Sequence, residues 1–131
     1  MNFTYSIHPE KRAILLRYAG DFTLSELIDC SRKLWDDPAY SDEYDGIVDL
    51  SAGTLGLGIG DFRVFIDFMK SEPRVSRGRW AAVTTSPFVT ACGLLYQQAL
   101  ASRHTFEVFS TWNAACAFLH QDMEPELGEP V

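Results

Sequence analysis

Residues 79–100, RWAAVTTSPFVTACGLLYQQAL, carry the clearest structural signal in this chain. The first seven combine apolar and β-branched side chains, which predicts a buried strand. Ser86 and Pro87 follow, and a serine cap with proline at the first helical position is a typical helix start. Apolar residues then recur at the helical period up to about Ala101. This stretch therefore predicts a buried strand that leads directly into a helix.

Strand and helix signals alternate on both sides of that stretch. The period-2 alternation of residues 3–8 and the apolar run at 13–18, with a short turn between them, predict an antiparallel hairpin that ends at Ala19-Gly20-Asp21. Thr23 and Glu26 have the spacing of a capping box and predict the start of a first helix. The remaining predicted elements are a strand at 46–50, a second helix capped by Asp61, a last strand at 105–109, and a fourth helix capped by Ser110 or Thr111.

The predicted order β-β-α-β-α-β-α-β-α defines a single α/β domain over residues 1–121. Strands that alternate with helices pair in parallel through right-handed crossovers, and the opening hairpin adds an antiparallel edge strand. We therefore expect a mixed sheet of about five strands with four helices. With 131 residues, 47% of them hydrophobic, the chain can bury such a core without disulfides or metals. Residues 122–131 are acidic and contain proline, and we expect them to form a flexible C-terminal tail.

Composition disfavours several classes of partner and compartment. A net charge of −7 suits a phosphate backbone poorly, so no nucleic-acid partner is expected. No stretch approaches the ~20 apolar residues of a transmembrane segment, and the first residues lack a secretory pattern, so a cytoplasmic protein is expected. Cys30, Cys92 and Cys116 are widely spaced within apolar helical patterns, which predicts buried, reduced thiols. Without closely spaced Cys and His pairs, no metal site is expected.

Three stretches resemble a known superfamily. Residues 45–51 (DGIVDLS), 79–100 and 106–119 (FEVFSTWNAACAFL) resemble, in turn, the central strand, the strand–turn–helix unit with its mid-helix glycine, and the closing strand and helix of STAS domains. The resemblance is strongest to their uncharacterised SpoIIAA-like branch. It implies the STAS-like fold, a bacterial origin, and a non-catalytic regulatory or protein-interaction role. The implied partner is another protein or a second copy of the chain in a homodimer.

The sequence departs from that superfamily at the position of its phosphorylation switch. The antagonist proteins carry a pattern of roughly Asp-Ser-Ser-Gly at the start of the second helix. The matching positions here are Leu57-Gly58-Ile59-Gly60, so no phosphoacceptor stands at the family position. Ser51 and Thr54 are the hydroxyl residues of this segment, and neither matches. We therefore expect the usual phosphorylation switch to be absent.

The glycine-rich segment Ser51–Gly60 is expected to be a loop between the central strand and the second helix. Gly53 and Gly58 match the two glycines of a P-loop, but Ile59 stands where the phosphate-binding lysine is needed, which disfavours a nucleotide site. The segment is interpreted as a mobile lid or a partner surface, because its apolar side chains would be exposed. These side chains are Leu55, Leu57 and Ile59.

Polar residues follow two neighbouring strands of the predicted sheet. Asp49 and Ser51 end the central strand, while Thr85 and Ser86 end the next parallel strand, so all four should lie at one edge. A polar pocket there is one interpretation, and simple capping by Ser86 is the other. The candidate ligand- or partner-binding residues are thus Asp49, Ser51, Thr54, Leu55, Leu57, Gly58, Ile59, Gly60, Thr85 and Ser86.

The second helix offers an alternative function. Phe62, Phe65 and Phe68 predict its core face, and Val64 and Ile66 exceed what a single buried face can take. This surplus predicts a self-association surface or one wall of an apolar cavity. The alternative is therefore a carrier of a small apolar or lipid-like ligand between this helix and the sheet. Spacing assembles no nucleophile–base pair or paired carboxylates, so no catalytic residue, enzyme activity or cofactor is expected.

Overall fold

The computed structural model describes residues 2–121, and its sheet begins with the predicted hairpin. β1 (Asn2–His8) pairs antiparallel with β2 (Ala13–Phe22) across a 3₁₀ turn at Pro9–Lys11. Arg12 closes the turn in the left-handed conformation, with a φ of 52°. The alternation in the sequence places the aromatic side chains of β1 on one face of the sheet. The predicted tail, residues 122–131, lies outside the described residues.

The sheet has the predicted mixed topology. Its five strands lie in the order β1-β2-β3-β4-β5, with β1 antiparallel to β2 and every later pair parallel. This confirms the α/β fold class and the four helices expected from the sequence. The remaining elements are α1 (Leu24–Trp35), β3 (Asp45–Leu55), α2 (Ile59–Ser71), β4 (Arg79–Val83), α3 (Pro87–Ala99), β5 (Thr105–Phe109) and α4 (Trp112–Leu119).

The helices are divided unequally between the two faces of the sheet. α1, α2 and α3 each connect neighbouring parallel strands and pack on what we call the three-helix face, where Trp35, Phe62 and Tyr96 are buried. α4 packs on the opposite face, the α4 face. There Ala115 and Leu119 cover small and branched side chains of the central strands. The sheet therefore separates two hydrophobic cores.

Polar caps fix the starts of three helices as predicted. The Glu26 N–H donates to Thr23 Oγ1 over 3.3 Å, and the Thr23 N–H donates to Glu26 Oε1 over 2.9 Å, which completes the capping box of α1. Ser86 Oγ accepts the Val89 N–H over 3.2 Å at the start of α3. Thr111, rather than Ser110, caps α4.

The predicted cap of α2 is wrong. The helix begins at Ile59 with Gly58 in the N-cap position, and no side chain caps it. Asp61 lies in the first turn, where a negative charge is favourable beside the helix N-terminus. A glycine cap has no side chain to signal it, which is why the carboxylate of Asp61 stood out in the sequence.

β2 and β3 continue beyond their predicted ends. Ala19-Gly20-Asp21 does not break β2, which reaches Phe22, and β3 reaches Leu55 within the segment expected to be a loop. A register shift opposite Tyr18, where Leu50 and Ser51 face a single residue of β2, bulges β3 before parallel pairing resumes. Because a bulge interrupts the period-2 pattern, the extension is not visible in the sequence. Residues 52–55 and the end of β2 form a two-stranded arm, since β4 pairs with β3 only as far as Asp49.

Gly53 in β3 and Gly60 in α2 differ in how much space surrounds them. A Cβ added at Gly53 would lie 2.9 Å from the carbonyl oxygen of Tyr18, the residue of β2 that faces the bulge of β3. A Cβ added at Gly60, in the first turn of α2, would have no neighbour within 4 Å. The first glycine is therefore required by close packing of the backbone, and the second is not.

We expect Gly53→Ala and Gly60→Ala to change the free energy of unfolding in opposite directions. Gly53→Ala should lower it by about 1–3 kcal/mol, because the backbone of the arm must move. Gly60→Ala should raise it by about 0.5–1 kcal/mol, because alanine loses less conformational freedom in a helix. Urea unfolding followed by tryptophan fluorescence measures both. Destabilisation of equal size by the two variants would contradict the geometry of the arm.

Candidate ligand-binding cavity

An apolar cavity of about 150 Å³ lies between the three-helix face of the sheet and its helices. All four parallel strands and all three crossover helices contribute to its lining. Among the described residues, no Asp, Glu, Lys or Arg lines it. The cavity therefore has the character of a site for an uncharged, mainly apolar molecule.

Side chains that pair across the four parallel strands form the floor of the cavity. Leu16 of β2 pairs with Val48 of β3, Val48 pairs with Ala82 of β4, and Ala82 pairs with Val108 of β5. All four side chains line the cavity. A parallel sheet in register sets equivalent side chains side by side, so the floor is one continuous apolar row.

Side chains from one face of each crossover helix form the roof of the cavity. Each of the three helices presents side chains at spacing i, i+3 and i+7, which places them on one face of the helix. Nine lining residues have this spacing: Leu27, Cys30 and Leu34 of α1; Phe62, Phe65 and Met69 of α2; and Val89, Cys92 and Tyr96 of α3. Ser31 and Trp35 of α1 and Gly93 of α3 line the cavity beside them. α2 is thus one wall of an apolar cavity, although Ile66 lies in the core and Val64 is exposed.

Two of the three cysteines belong to this lining. Cys30 and Cys92 are buried and form no disulfide, as the sequence predicts, and Cys116 is buried outside the cavity. Burial, with Asp29 nearby, raises the pKa of the Cys30 thiol to about 11, and burial also raises the pKa of Cys92. Both lining thiols stay protonated at neutral pH and act as small apolar groups.

One lining residue is polar and lacks partners in the described part of the chain. His104 is 7% exposed, and neither of its ring nitrogens has a hydrogen-bond partner within residues 2–121. Burial, and secondarily Arg103, lowers the pKa of His104 to about 4. The imidazole is therefore neutral at pH 7, with one donor and one acceptor nitrogen.

Sequence reasoning did not single out His104. The residue lies between α3 and β5, and in one sequence it is simply a histidine that flanks a strand. Its burial depends on Tyr96 and Phe106, whose ring centroids lie 5.6 and 6.1 Å from that of His104. These contacts join separate elements, so no local pattern could have shown them.

The predicted polar pocket is not assembled. Asp49 points to the α4 face, because its neighbours Val48 and Leu50 point into the cavity. There Arg17 Nε donates to Asp49 Oδ2 over 3.1 Å, and Ser51 Oγ donates to Asp49 Oδ1 over 2.6 Å. This carboxylate has a structural role in joining β2 to β3.

The other predicted hydroxyl groups are also separate from one another. Thr54 Oγ1 donates to Asp21 Oδ1 over 2.8 Å, within the two-stranded arm. Ser86 caps α3, and Thr85 is exposed beside it. The capping interpretation of Ser86 is therefore the one that the structure supports.

The apolar side chains of the glycine-rich segment do not form the expected exposed group. Leu55 ends β3 and lines the cavity, and Leu57 is half-buried against the same core. Ile59 is exposed, together with Gly58 and Gly60. Leu55 points inward because the extra residue that β3 carries between Asp49 and Ala52 shifts its alternation by one position.

The described residues contain neither a metal-binding cluster nor a membrane-spanning helix. No group of three His, Cys, Asp or Glu side chains within residues 2–121 could hold a metal ion. The longest helices there, α2 and α3, have 13 residues each. No helix in that range is long and apolar enough to cross a membrane.

The strand order, the crossover helices on one face and the closing helix on the other define a SpoIIAA-like α/β fold. No protein-family profile matches the chain, and no curated protein does. The chain is similar in structure to an uncharacterised DUF3478-family protein from Shewanella loihica PV-4 with a SpoIIAA-like fold. The TM-score is 0.59 at 10% identity, over 90% of this chain and 92% of that one. The fold that the resemblance implied is confirmed, and at this identity the likeness concerns the fold alone.

We expect the protein to lose stability as the pH falls from 6.5 to 4 because of His104. In this window the unfolded chain binds a proton at His104 and the folded chain does not, so the free energy of unfolding decreases with decreasing pH. The loss should approach about 3 kcal/mol across the window. Urea unfolding of the wild type and of His104→Leu across this pH range measures the loss. The free energy of unfolding of the variant should not contain the contribution from His104. Parallel pH profiles for the two proteins would contradict the assignment.

Proposed function

We propose that the protein binds a small apolar molecule in the cavity between the three-helix face and its helices. The observation that carries the proposal is the apolar cavity volume of about 150 Å³. An apolar protein cavity of about this volume accommodates a molecule the size of benzene. The proposed ligand is therefore a single ring or a short chain, smaller than a membrane lipid.

Packing energetics support this proposal. Protein interiors are close-packed, and voids larger than a water molecule are few. At about 24 cal/mol per Å³, an empty cavity of about 150 Å³ costs on the order of 3–4 kcal/mol. A bound molecule that fills the cavity recovers contacts with side chains from seven elements, which favours binding over simple loose packing.

The proposed role is binding without catalysis. The lining groups with titratable protons are a neutral imidazole, phenols whose pKa burial raises, and protonated thiols. None of these is poised as a nucleophile beside a general base at neutral pH. The proposal therefore needs only reversible entry and release of the ligand.

Ala82→Leu tests the proposal by filling the cavity from its floor. With toluene as the probe, the Tm of the wild type should rise with probe concentration, because a ligand that binds only the folded state stabilises it. Ala82→Leu should raise the Tm without probe and abolish the further rise. Differential scanning fluorimetry measures both effects.

The matched control is Ala91→Leu, the same substitution on the exposed side of α3. This variant should respond to toluene as the wild type does. A wild-type Tm that is insensitive to toluene, or an Ala82→Leu variant that responds fully, would contradict the proposal. If Ala82→Leu does not fold, Cys92→Leu fills the same cavity from the roof.

A second candidate function is self-association as a homodimer, in line with the interaction role that the resemblance implies. Ile59 and Val64 of α2, and Phe88 and Leu94 of α3, are large apolar side chains that remain between 42% and 51% exposed. Exposed apolar side chains that group together mark interaction surfaces. Of the apolar residues expected at the surface of the glycine-rich segment, Ile59 is the one that this candidate retains.

Val64→Asp tests the homodimer, because a carboxylate at the centre of an apolar contact cannot be buried without a partner. Light scattering should show a dimer for the wild type and a monomer for this variant. Lys70→Asp, on the same helix and also exposed, introduces the same carboxylate away from the apolar side chains and should remain dimeric. A wild type that remains monomeric at high concentration would contradict the homodimer.

A further inference from the structure

We propose that His104 is the polar anchor of the cavity and that the ligand is an apolar molecule with one hydroxyl group, such as a phenol or a short alcohol. This inference rests on the proposed ligand-binding function. It adds the chemical class of the ligand and the atoms that recognise it. A neutral imidazole has one donor and one acceptor nitrogen, and a hydroxyl group can satisfy either of them.

The position of the imidazole is fixed without hydrogen bonds from its ring. The His104 backbone N–H donates to the Leu100 carbonyl oxygen over 3.1 Å, which anchors the residue at the end of α3. Its ring lies edge-on to Tyr96 and stacked near Phe106. Aromatic packing thus holds the ring in the cavity lining while both nitrogens remain without partners in the described chain.

Three other polar side chains of the lining already take part in hydrogen bonds. Ser31 Oγ donates to the Leu27 carbonyl oxygen over 3.0 Å, and Thr84 Oγ1 accepts the Ser86 N–H over 3.1 Å. Ser76 Oγ accepts the indole N–H of Trp80 over 2.7 Å. Buried polar groups in proteins almost always have hydrogen bonds, so two unsatisfied nitrogens on one buried ring require a reason. A ligand hydroxyl supplies a partner for one of these nitrogens.

The surrounding charges favour an uncharged ligand over a carboxylate. Arg103 is the neighbouring cation, but its guanidinium donates to the carbonyl oxygens of Lys70 and Glu72, over 3.0 Å in each case, at the end of α2. Its hydrogen-bonding groups are thus directed to a helix end. A carboxylate in the cavity would face a neutral imidazole and apolar side chains, which leaves its charge uncompensated.

Phenol and toluene are a matched pair of probes for the anchor, since they differ by a hydroxyl in place of a methyl group. We expect His104→Leu to raise the ratio of the phenol Kd to the toluene Kd by roughly tenfold, since the variant loses the hydrogen bond and keeps an apolar lining. His8→Leu is the control, because it is the same substitution at a histidine that does not line the cavity. It should leave the ratio unchanged. Isothermal titration calorimetry at pH 7 measures all the constants.

The outcomes separate this inference from the proposed function. If toluene does not bind the wild type, the proposed function itself fails. If both probes bind and His104→Leu leaves their ratio unchanged, the anchor is wrong and the cavity proposal stands. Benzoate that binds more tightly than phenol at pH 7 would overturn the assignment of an uncharged hydroxyl ligand.

A measurement on the wild type keeps the inference testable if His104→Leu does not fold. The ¹⁵N chemical shifts of the His104 ring report hydrogen bonding at each nitrogen. Saturating phenol should shift them, and saturating toluene should leave the hydrogen-bonding pattern of both nitrogens unchanged. Equal responses to the two probes would contradict the anchor.

Discussion

The parallel pairing of β2 with β3 is the constraint on which the rest of the structure depends. Its register places Leu16 beside Val48 on the three-helix face and Arg17 beside Asp49 on the α4 face. A slip of β3 by one residue would turn its side chains to the opposite faces and move Asp49 to the apolar side, away from Arg17. The hydrogen-bonded Arg17–Asp49 pair, at 3.1 Å, opposes such a slip because neither charge could be moved to the apolar side without its partner.

Aromatic contacts between helices explain why the three-helix face encloses a cavity. Trp35 of α1 lies 5.8 Å from Phe68 of α2, and Phe65 of α2 lies 6.4 Å from Tyr96 of α3, measured between ring centroids. These large side chains pack helix against helix above the sheet. The sheet below them contributes short side chains such as that of Ala82. The helices are therefore joined to one another across a floor that does not fill the space between them.

The sequence predicted what local interactions determine. The order of elements, the capping box at Thr23, the cap at Ser86 and the burial of the cysteines all follow from short-range patterns, and the structure confirms them. The inward direction of Leu55 depends instead on a bulge in β3 that only its pairing with β2 reveals. The burial of His104 depends on two other elements. Features of this kind arise only when strands and helices meet, so a single sequence could not show them.

The residues of α2 that line the cavity differ from those that suggested a cavity in the sequence. The surplus of apolar residues on this helix predicts either a self-association surface or one wall of a cavity. α2 does line a cavity, but Val64 and Ile66, the residues that form the surplus, do not. The lining comes from Phe62, Phe65 and Met69, and the two phenylalanines belong to the face expected in the core. Periodicity identifies the face of a helix that turns inward, and it does not distinguish contact with side chains from contact with a void.

The contrast between the two faces of the sheet argues that the cavity is a specific feature and not general loose packing. On the α4 face, Ala13, Ile47, Ala81 and Ala115 are all fully buried, and small side chains let the helix lie close to the strands. The same strands, one residue out of phase, form the floor of the cavity. One sheet therefore supports a closely packed core and a hollow one at the same time. Because the hollow side also holds an imidazole without partners in the described chain, two independent sources of instability coincide at one place. Binding of a ligand there relieves both, and poor packing accounts for only one of them.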